Sequence, residues 1–436
     1  MSQPLNIAIV SDVFPPKSGG SGWSSFYLAK ALQERGHNLQ VVLPKEGPEF
    51  GQATREYEGL PVTEFIYPAS KIPFVRNYTR NERLYPRFAN WLENFFLRHS
   101  IQVAHGQHYL TIPPTVIAAK RTGAVSLGTV RDYWPVCYWT THLSGDKICP
   151  GCTEINRLKC LYHNQGPLGI PAAPLSLYMA SNLNLKQRYL SQADAVLAVS
   201  NYVGLKLAKF VPLHRLHIIP NFINFTDLQD ISPVTENNLT IKISPEIALS
   251  TPYLLYIGKL EANKGANLLL DILREARPEI PTLVAGEGSL RGQMEETAQR
   301  EKLNIKFLGW QEHTQVLRLL AGAEALLFPS LWPEPLTRVL LEAIGLGALV
   351  VALNTGGTPD IIQDGVNGLL AENLPEFSQK LKDILKPEQS ELRQQLRAAA
   401  LQTAQEKFSQ EAVVTRTAEL YLELLEQKAG KSNKVT

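Results

Sequence analysis

The chain has 436 residues, of which 44% are hydrophobic and 19% are charged, and its formal net charge is +2. This length is too great for one ordinary domain and suits two, and the composition excludes a largely disordered chain. The small net charge gives no reason to expect a nucleic-acid partner. No run of 18 or more apolar residues is present, so we expect no membrane-spanning helix.

Short apolar runs alternate with helical patterns through the first half of the chain. The runs predicted to be buried strands are Leu5–Ser11, Leu39–Leu43, Val62–Tyr67, Val103–His105, Val125–Val130 and Ala195–Val199. Helices are predicted at Trp23–Arg35, Pro86–Arg98 and Thr111–Lys120. This alternation is typical of a parallel sheet with helices on both faces.

A polar segment at residues 227–250, with two prolines, predicts a connection between two domains. A second series of strands is predicted after it, at Tyr253–Ile257, Thr282–Ala285, Ile305–Leu308, Ala325–Phe328 and Leu349–Ala352. We therefore expect an N-terminal domain at residues 1–226, a linker at 227–250, a C-terminal domain at 251–408 and a long helix at 409–428.

Two glutamates, Glu334 and Glu342, flank the most informative stretch of the chain, PEPLTRVLLEAIGLG. Pro335 favours the first turn of a helix, so Glu334 is predicted to lie in the preceding loop and Glu342 about two turns along the helix. Loops at the carboxyl ends of parallel strands are where α/β proteins bind ligands. The backbone N–H groups of Leu336 and Thr337 offer an anion site there. Carboxylates beside such a site suit a sugar joined to a diphosphate.

Three glycine-containing loops follow other predicted strands. Gly19 and Gly20 follow the first strand, and glycine lets backbone amides approach a phosphate closely. Gly258 ends the first strand of the second domain, and Lys259 and Lys264 follow it before a helix. Two cations are poor partners for the positive end of a helix dipole, so their position favours a bound diphosphate. Gly286 ends the next strand.

This ordered set of motifs resembles the retaining glycosyltransferases with the GT-B fold, particularly glycosyltransferase family 4, whose signature is E-x7-E. The resemblance covers nearly the whole chain. It implies an α/β protein of two Rossmann-like, parallel-sheet domains facing across a cleft, with the C-terminal helix returning to the N-terminal domain.

The resemblance also implies roles for particular residues. Lys259, which stands where arginine is usual in the family, and Lys264 would stabilise a leaving nucleoside diphosphate. Glu334 would hold sugar hydroxyls, and Glu342 the ribose. The predicted donor-binding residues are Gly19, Gly20, Gly258, Lys259, Lys264, Gly286, Glu334, Leu336, Thr337 and Glu342, and Leu336 and Thr337 replace a frequent Phe-Gly pair.

The predicted acceptor side lies in the first domain and includes His105, His108, Arg131 and Asp132. Many relatives have His-Asp where this chain has Arg131-Asp132. Because arginine does not act as a base near neutral pH, proton transfer falls to another group or to the substrate. Asp132 is a candidate for orienting an acceptor hydroxyl, so the predicted catalytic residues are Glu334, Lys264, Lys259 and Asp132. For His105 and His108, packing at a strand end and acceptor binding are equal alternatives.

The cysteines of the chain are confined to one segment, residues 137–160, as Cys137, Cys149, Cys152 and Cys160. A CxxC pair with two further thiols is consistent with a structural zinc site, and disulfides or free thiols are the alternatives. A closed site of four sulfurs has no open position for chemistry. The expected reaction itself requires no cofactor.

Arginines at positions 76, 80, 83 and 87 are interleaved with aromatic residues, and residues 165–185 carry no charge and three prolines. A solvated face followed by a loop is the favoured interpretation, and a membrane-facing or acceptor-facing surface is the alternative.

The resulting functional hypothesis is a retaining hexosyltransferase that moves a hexose from a nucleoside diphosphate sugar to a hydroxyl of a glycan, glycolipid or small molecule. The alternatives are a nucleotide-sugar epimerase of similar fold and a catalytically silent nucleotide-binding scaffold. The N-terminus has no basic region before its apolar stretch, so a cytoplasmic location is expected, with peripheral contact at the inner face of a membrane as a further alternative.

Overall fold

The computed structural model describes residues 3–16, 18–72, 75–145, 147–166, 174–231 and 252–432. The chain divides into two units by its internal contacts. The first unit comprises residues 1–145, 149–221 and 413–436, and the second comprises residues 146–148 and 222–412. Most of the predicted linker at residues 227–250 lies outside the described residues.

The first unit is built on an eight-stranded sheet with the order β10-β9-β6-β5-β1-β2-β4-β3. Its strands are β1 Asn6–Val10, β2 Asn38–Glu46, β3 Gly51–Tyr57, β4 Leu60–Tyr67, β5 Val103–Gly106, β6 Val125–Val130, β9 Ala195–Ala198 and β10 Leu216–Ile218. The neighbours pair in parallel except β3 and β4, which are antiparallel. The remaining short strands before position 150 are β7 Leu143–Ser144 and β8 Lys147–Ile148.

Helices of the first unit pack on this sheet through apolar residues, with Phe88, Leu92 and Phe96 of α3 in its core. Their bounds are α1 Gly20–Glu34, α2 Val75–Arg80, α3 Leu84–Arg98, α4 Ile112–Thr122, α5 Glu154–Gln165, α6 Leu175–Leu190 and α7 Asn201–Leu207. Helix α4 ends where Gly123 adopts φ of +81°, a conformation that glycine accepts without strain.

The second unit contains a six-stranded, fully parallel sheet with the order β13-β12-β11-β14-β15-β16. Its strands are β11 Leu254–Ile257, β12 Thr282–Ala285, β13 Ile305–Gly309, β14 Ala325–Phe328, β15 Val350–Leu353 and β16 Leu369–Ala371. Its helices are α8 Thr226–Gln229, α9 Ala266–Ala276, α10 Arg291–Arg300, α11 His313–Gly322, α12 Arg338–Gly345, α13 Thr358–Ile361, α14 Leu374–Ile384 and α15 Ser390–Phe408.

The C-terminal helix α16, Gln410–Ser432, belongs to the first unit from Val413 onward. The Tyr421 hydroxyl lies 2.7 Å from Nδ1 of His105 in β5, and Lys428 Nζ donates to the Ala124 carbonyl at 2.7 Å. The expected return of this helix to the N-terminal domain is therefore confirmed. Within the described part of the chain, no helix has both the length and the apolar character needed to cross a bilayer.

Two elements differ from expectation. Residues 175–190 form helix α6, so the predicted loop is wrong for this part of 165–185. Met179 and Leu183 lie on the buried face of α6, and a buried face disfavours charged residues in this part of the chain. Helix α1 begins at Gly20 rather than Trp23, which extends it through residues that form helices poorly.

Candidate functional site

An ion pair between a partly exposed lysine and a buried glutamate lies where two loops of the second unit meet, after β11 and after β14. Lys264 Nζ is 2.5 Å from Oε1 of Glu334, and the Ser330 hydroxyl is 3.4 Å from the same oxygen. Glu334 is only 6% exposed. Because β11 and β14 are parallel neighbours, their carboxyl ends deliver both loops to the same edge of the sheet.

Burial raises the pKa of Glu334, although the ammonium of Lys264 and the hydroxyl of Ser330 act in the opposite direction. The net effect is a raised pKa. The carboxylate therefore depends on its lysine partner to remain charged in this poorly solvated position.

The backbone around the ion pair is fixed by close packing of the two loops. Gly265 adopts φ of +71°, and a Cβ at that position would lie 1.9 Å from the carbonyl oxygen of Pro329. Only glycine permits this approach, which places Lys264 against the Glu334 loop. The Tyr256 hydroxyl lies 3.2 Å from the Lys264 carbonyl oxygen, and Lys264 Nζ lies 4.1 Å from the centre of the Trp332 ring.

A third loop, after β15, packs on the Glu334 backbone. Gly356 has φ of +56°, and a Cβ there would lie 2.4 Å from the Pro333 carbonyl carbon and 2.5 Å from the Glu334 nitrogen. Gly357 N–H donates to the Glu334 carbonyl at 2.7 Å. Three adjacent strands, β11, β14 and β15, thus contribute loops to one site.

Glu342 lies on helix α12 and is also buried. Its Oε1 accepts from Nε of Arg338 at 2.7 Å and lies 2.8 Å from Nε2 of His313. The hydrogen bond to Glu342 raises the pKa of His313. Sequence reasoning missed both partners, although the four-residue spacing of Arg338 and Glu342 is a readable signal for a helical ion pair.

The other predicted donor-side residues occupy loops or helix starts. Lys259 is exposed, and Gly258 and Gly286 follow β11 and β12. Leu336 and Thr337 directly precede α12, and Thr337 is its N-cap residue.

In the first unit, Gly19 and Gly20 stand at the start of α1. A Cβ added at either glycine would meet nothing within 4 Å, so internal packing does not require glycine there. Their predicted role in phosphate binding stays a prediction.

A second polar cluster lies in the first unit at the carboxyl ends of β1, β5 and β6. His108 Nδ1 is 2.8 Å from Oδ2 of Asp12, and its Nε2 is 2.8 Å from Oδ2 of Asp132. The backbone N–H of Leu110 also faces Asp12, at 3.4 Å, and that of Trp134 donates to Oδ1 of Asp132 at 2.8 Å. The strands β6, β5 and β1 are adjacent, which brings the three side chains together.

Burial lowers the pKa of His108, but the carboxylates of Asp12 and Asp132 outweigh burial and raise it to about 10. Since both ring nitrogens face carboxylate oxygens, both donate protons, and the ring is an imidazolium. The predicted residues His108 and Asp132 are therefore in direct contact, and Asp12 is a partner that the sequence did not reveal.

His105 and Arg131 are placed differently. His105 is fully buried, and its Nε2 is 2.7 Å from Thr129 Oγ1. Burial, with the Arg131 charge, lowers the pKa of His105 to about 3. The structure thus favours packing at a strand end for His105. Arg131 donates to Oε1 of Gln107 at 2.6 Å and to Oδ1 of Asn221 at 3.1 Å.

The four cysteines are not joined by disulfides. Burial, with the nearby thiols of Cys137, Cys149 and Cys152, raises the pKa of Cys160 to about 11. In the ranges that the structure covers, no group of three or more His, Cys, Asp or Glu side chains is arranged to hold a metal ion. The zinc hypothesis gains no support from this arrangement and stays a prediction.

The fold and the two polar clusters define an α/β protein of two parallel-sheet units with loop-borne polar residues at strand ends. Residues 18–227 match the family model for Glycosyltransferase Family 4, and residues 238–403 match the model for Glycosyl transferases group 1. The chain thus carries glycosyltransferase domains of both descriptions.

Relatives of known name match parts of the chain. Spore coat protein SA of Bacillus subtilis is 24% identical over 52% of this chain and 64% of its own length. Glycogen synthase of Mycobacterium tuberculosis is 30% identical over 39% of this chain and 42% of its own length. The chain therefore spans less than two thirds of the length of these relatives.

Solved structures with the same fold cover nearly the whole chain. A glycosyltransferase from Rickettsia africae has a TM-score of 0.67 at 19% identity and covers 97% of this chain and 99% of its own. Anabaena HepE in complex with UDP has a TM-score of 0.65 at 18% identity and covers 96% of this chain and 100% of its own. These similarities confirm the predicted GT-B type of fold.

The His108 arrangement predicts that its ring does not titrate around the ordinary histidine pKa of 6.5. Ring resonances of labelled protein, assigned with a His108→Gln variant and followed by NMR across the neutral range, should stay at imidazolium positions. In Asp132→Asn the pKa should fall, because one of the two stabilising carboxylates is lost. A midpoint near 6.5 in the unaltered protein would show that the two carboxylates do not hold the ring charged.

Proposed function

We propose that the protein is a retaining hexosyltransferase that transfers a hexose from a nucleoside diphosphate sugar to an acceptor hydroxyl. The observation that carries the proposal is the contact between Lys264 and the buried Glu334, at an edge of the sheet within residues 238–403. An ammonium can stabilise charge on a leaving diphosphate, and a carboxylate beside it can accept hydrogen bonds from sugar hydroxyls.

Each group has a separate proposed role. Lys264 and the exposed Lys259 stabilise the diphosphate, and Glu334 orients the sugar. Glu342 holds the ribose through Oε2, because both of its protein partners, Arg338 and His313, contact Oε1. Retention of configuration rests on the resemblance to the E-x7-E enzymes.

The solved structures support a nucleotide-sugar donor. Anabaena HepE has been solved with UDP and glucose and with UDP-glucose. A sucrose-phosphate synthase from Thermosynechococcus elongatus shares the fold with a TM-score of 0.66. We infer a uridine nucleotide as the first donor class to test.

We propose that the first unit binds the acceptor and that Asp132 orients the acceptor hydroxyl. Asp132 remains partly exposed, whereas its partner Asp12 is nearly buried. His108 holds Asp132 in place and keeps a positive charge beside it. A carboxylate held by an imidazolium keeps lone pairs that can accept a hydrogen bond from a hydroxyl.

We further propose peripheral contact with an anionic membrane surface. Helix α5 exposes Ile155, Leu158 and Tyr162 at i, i+3 and i+7, one face of a helix. Exposed apolar side chains on two other helices of the unit are Val75 and Tyr78 on α2 and Leu177 on α6. Lys159 on α5 is an exposed basic residue, and further exposed basic residues stand near α2 in the sequence: Lys71, Arg83 and Arg87. Apolar and basic side chains together suit the interface of an anionic bilayer.

Co-sedimentation with vesicles tests this contact. The protein should bind phosphatidylglycerol vesicles more tightly than phosphatidylcholine vesicles, and Ile155→Ser with Leu158→Ser should weaken binding. Leu213→Ser, a change at another exposed leucine of the unit, is the control. Equal binding by both variants would reject α5 as the contact surface.

The zinc hypothesis for Cys137, Cys149, Cys152 and Cys160 is kept as a proposal of a structural metal. Elemental analysis of protein made in metal-replete medium tests it, and protein without bound transition metal would reject it.

A thermal-shift screen against UDP-, GDP- and ADP-sugars tests the donor proposal. A ligand that binds only the folded protein at a hundredfold excess over its Kd adds about 2.7 kcal/mol of stability. One nucleotide series should raise Tm, and the stabilising sugar should be hydrolysed slowly without acceptor. Stabilisation without hydrolysis or transfer would instead favour the silent scaffold, and conversion to an epimeric sugar would favour the epimerase.

In Lys264→Ala, kcat/KM for transfer should fall, and the fall should correspond to about 2–4 kcal/mol of lost transition-state stabilisation. This is the usual scale for the loss of an electrostatic donor. Glu334→Gln should cripple transfer while leaving nucleotide affinity nearly unchanged, because the group faces the sugar. Lys380→Ala is a matched control, since Lys380 is 23% exposed and ion-paired, like Lys264 at 24%. Equal losses in Lys264→Ala and Lys380→Ala would assign the effect to stability rather than to the diphosphate.

A further inference from the structure

We propose that Lys186 is an acceptor-specificity residue whose ammonium donates a hydrogen bond to a hydroxyl of an uncharged, polyhydroxylated acceptor, beside Asp132 in the first unit. The proposal rests on the proposed transferase function and adds the class of acceptor. No sequence motif pointed to Lys186, which lies near the end of helix α6.

The side chain of Lys186 is unusually buried for a lysine, with only 4% exposed. Its Nζ lies 5.1 Å from the centre of the Tyr109 ring. Among the residues that the structure covers, Lys186 makes neither a hydrogen bond nor an ion pair, so its three N–H donors have no protein acceptor. Nζ itself is not fully enclosed, so solvent or a small molecule can reach it. A bound hydroxyl would supply the acceptor that the protein does not provide.

The nearby carboxylates are largely occupied by other donors. Glu82 accepts from Tyr178 and Asn182, at 3.1 and 2.8 Å. Both oxygens of Asp132 have partners, and so does Oδ2 of Asp12. Oδ1 of Asp12 is buried and has no hydrogen-bond partner in the described structure. The cluster therefore contains an ammonium without a protein acceptor and a buried carboxylate oxygen without a donor.

Burial lowers the pKa of Lys186 to about 8, although Glu82, Asp132 and Asp12 act to raise it. At neutral pH the charged form still predominates. The ammonium therefore remains a hydrogen-bond donor under the conditions in which a transferase would work.

The charges around Lys186 indicate the chemistry of the ligand. Three carboxylates, those of Glu82, Asp132 and Asp12, act on Lys186, and His108 is a second cation between Asp132 and Asp12. Arg80, which also acts on the adjacent Tyr109, is ion-paired with Glu46 at 3.1 Å and so adds no net charge. A phosphate or carboxylate ligand would meet this excess of negative charge, and a cationic ligand would meet two positive groups. A hydroxyl accepts from the ammonium and donates to a carboxylate oxygen or to a bridging water. Uncharged sugars and other polyols fit both requirements.

The test combines a variant with a protection measurement on the unaltered protein. Lys186→Met keeps a long, flexible side chain and removes the donor. With a hydroxylated acceptor, its KM should rise about tenfold or more, the scale of a lost hydrogen bond to a charged group. Acceptor-independent donor hydrolysis and Tm should be unchanged. Lys206→Met is the matched control, because Lys206 also packs on a tyrosine ring of the same unit, with Nζ 4.7 Å from the Tyr202 centroid.

Donor hydrolysis also separates the transferase proposal from the Lys186 proposal. If the unaltered protein does not hydrolyse the donor, the transferase function is rejected. If it does, and the KM for the acceptor is unchanged in Lys186→Met, only the role of Lys186 is rejected. Reductive methylation of lysines, quantified by mass spectrometry, gives a readout independent of activity. Methyl hexosides should slow labelling of Lys186 and not of Lys206. Stronger protection by inorganic phosphate would overturn the neutral-ligand assignment, and no protection, or equal protection of both lysines, would overturn the subsite.

Discussion

Parallel pairing delivers the carboxyl ends of neighbouring strands to one edge of a sheet, and both candidate sites depend on this constraint. In the second unit, β11, β14 and β15 are adjacent, and their loops supply Lys264, Glu334 and Gly356. In the first unit, the adjacent strands β6, β5 and β1 are followed by Asp132, His108 and Asp12. Residues far apart in sequence therefore meet without any local sequence motif that joins them.

The two sites use burial in opposite ways. In the second unit, Glu334 has both a cation and a hydroxyl beside it, so the buried carboxylate is satisfied. In the first unit, Lys186 is buried beside carboxylates that other donors already occupy. A pair that is already formed fixes geometry before a ligand arrives, whereas a group without a protein partner remains available to a ligand. The first arrangement suits orientation of a reacting group, and the second suits selection among ligands.

The sequence predicted most strands closely because buried parallel strands appear as short apolar runs. Ala325–Phe328, Thr282–Ala285 and Val125–Val130 have the predicted bounds. Burial of individual polar residues was not predictable in the same way. His105 and His108 are three positions apart and look alike in sequence, yet one is enclosed by Tyr421 and Thr129 and the other by two carboxylates.

Polar contacts between residues far apart in the sequence could not be predicted from the sequence either. His313 contacts Glu342, which lies 29 positions later in the sequence, and no motif around His313 identifies it as the partner of Glu342. Lys186 follows an uncharged segment, and a lysine near the end of a helix normally indicates a solvated position. Its burial depends on how α6 packs within the unit, which the local sequence does not encode.

The close contact of Lys264 with Glu334 bears on how the second unit could bind a diphosphate. A buried ion pair is weak evidence for stability, because desolvation of two charges offsets much of their attraction. It does fix the position of a long side chain, which otherwise loses up to about 2 kcal/mol of conformational entropy when a ligand immobilises it. Lys264 is already held by Glu334, by the Trp332 ring and by the Gly265 turn. A diphosphate that meets this ammonium therefore binds a preorganised charge, and Glu334 is held in register with it at the position proposed for the sugar.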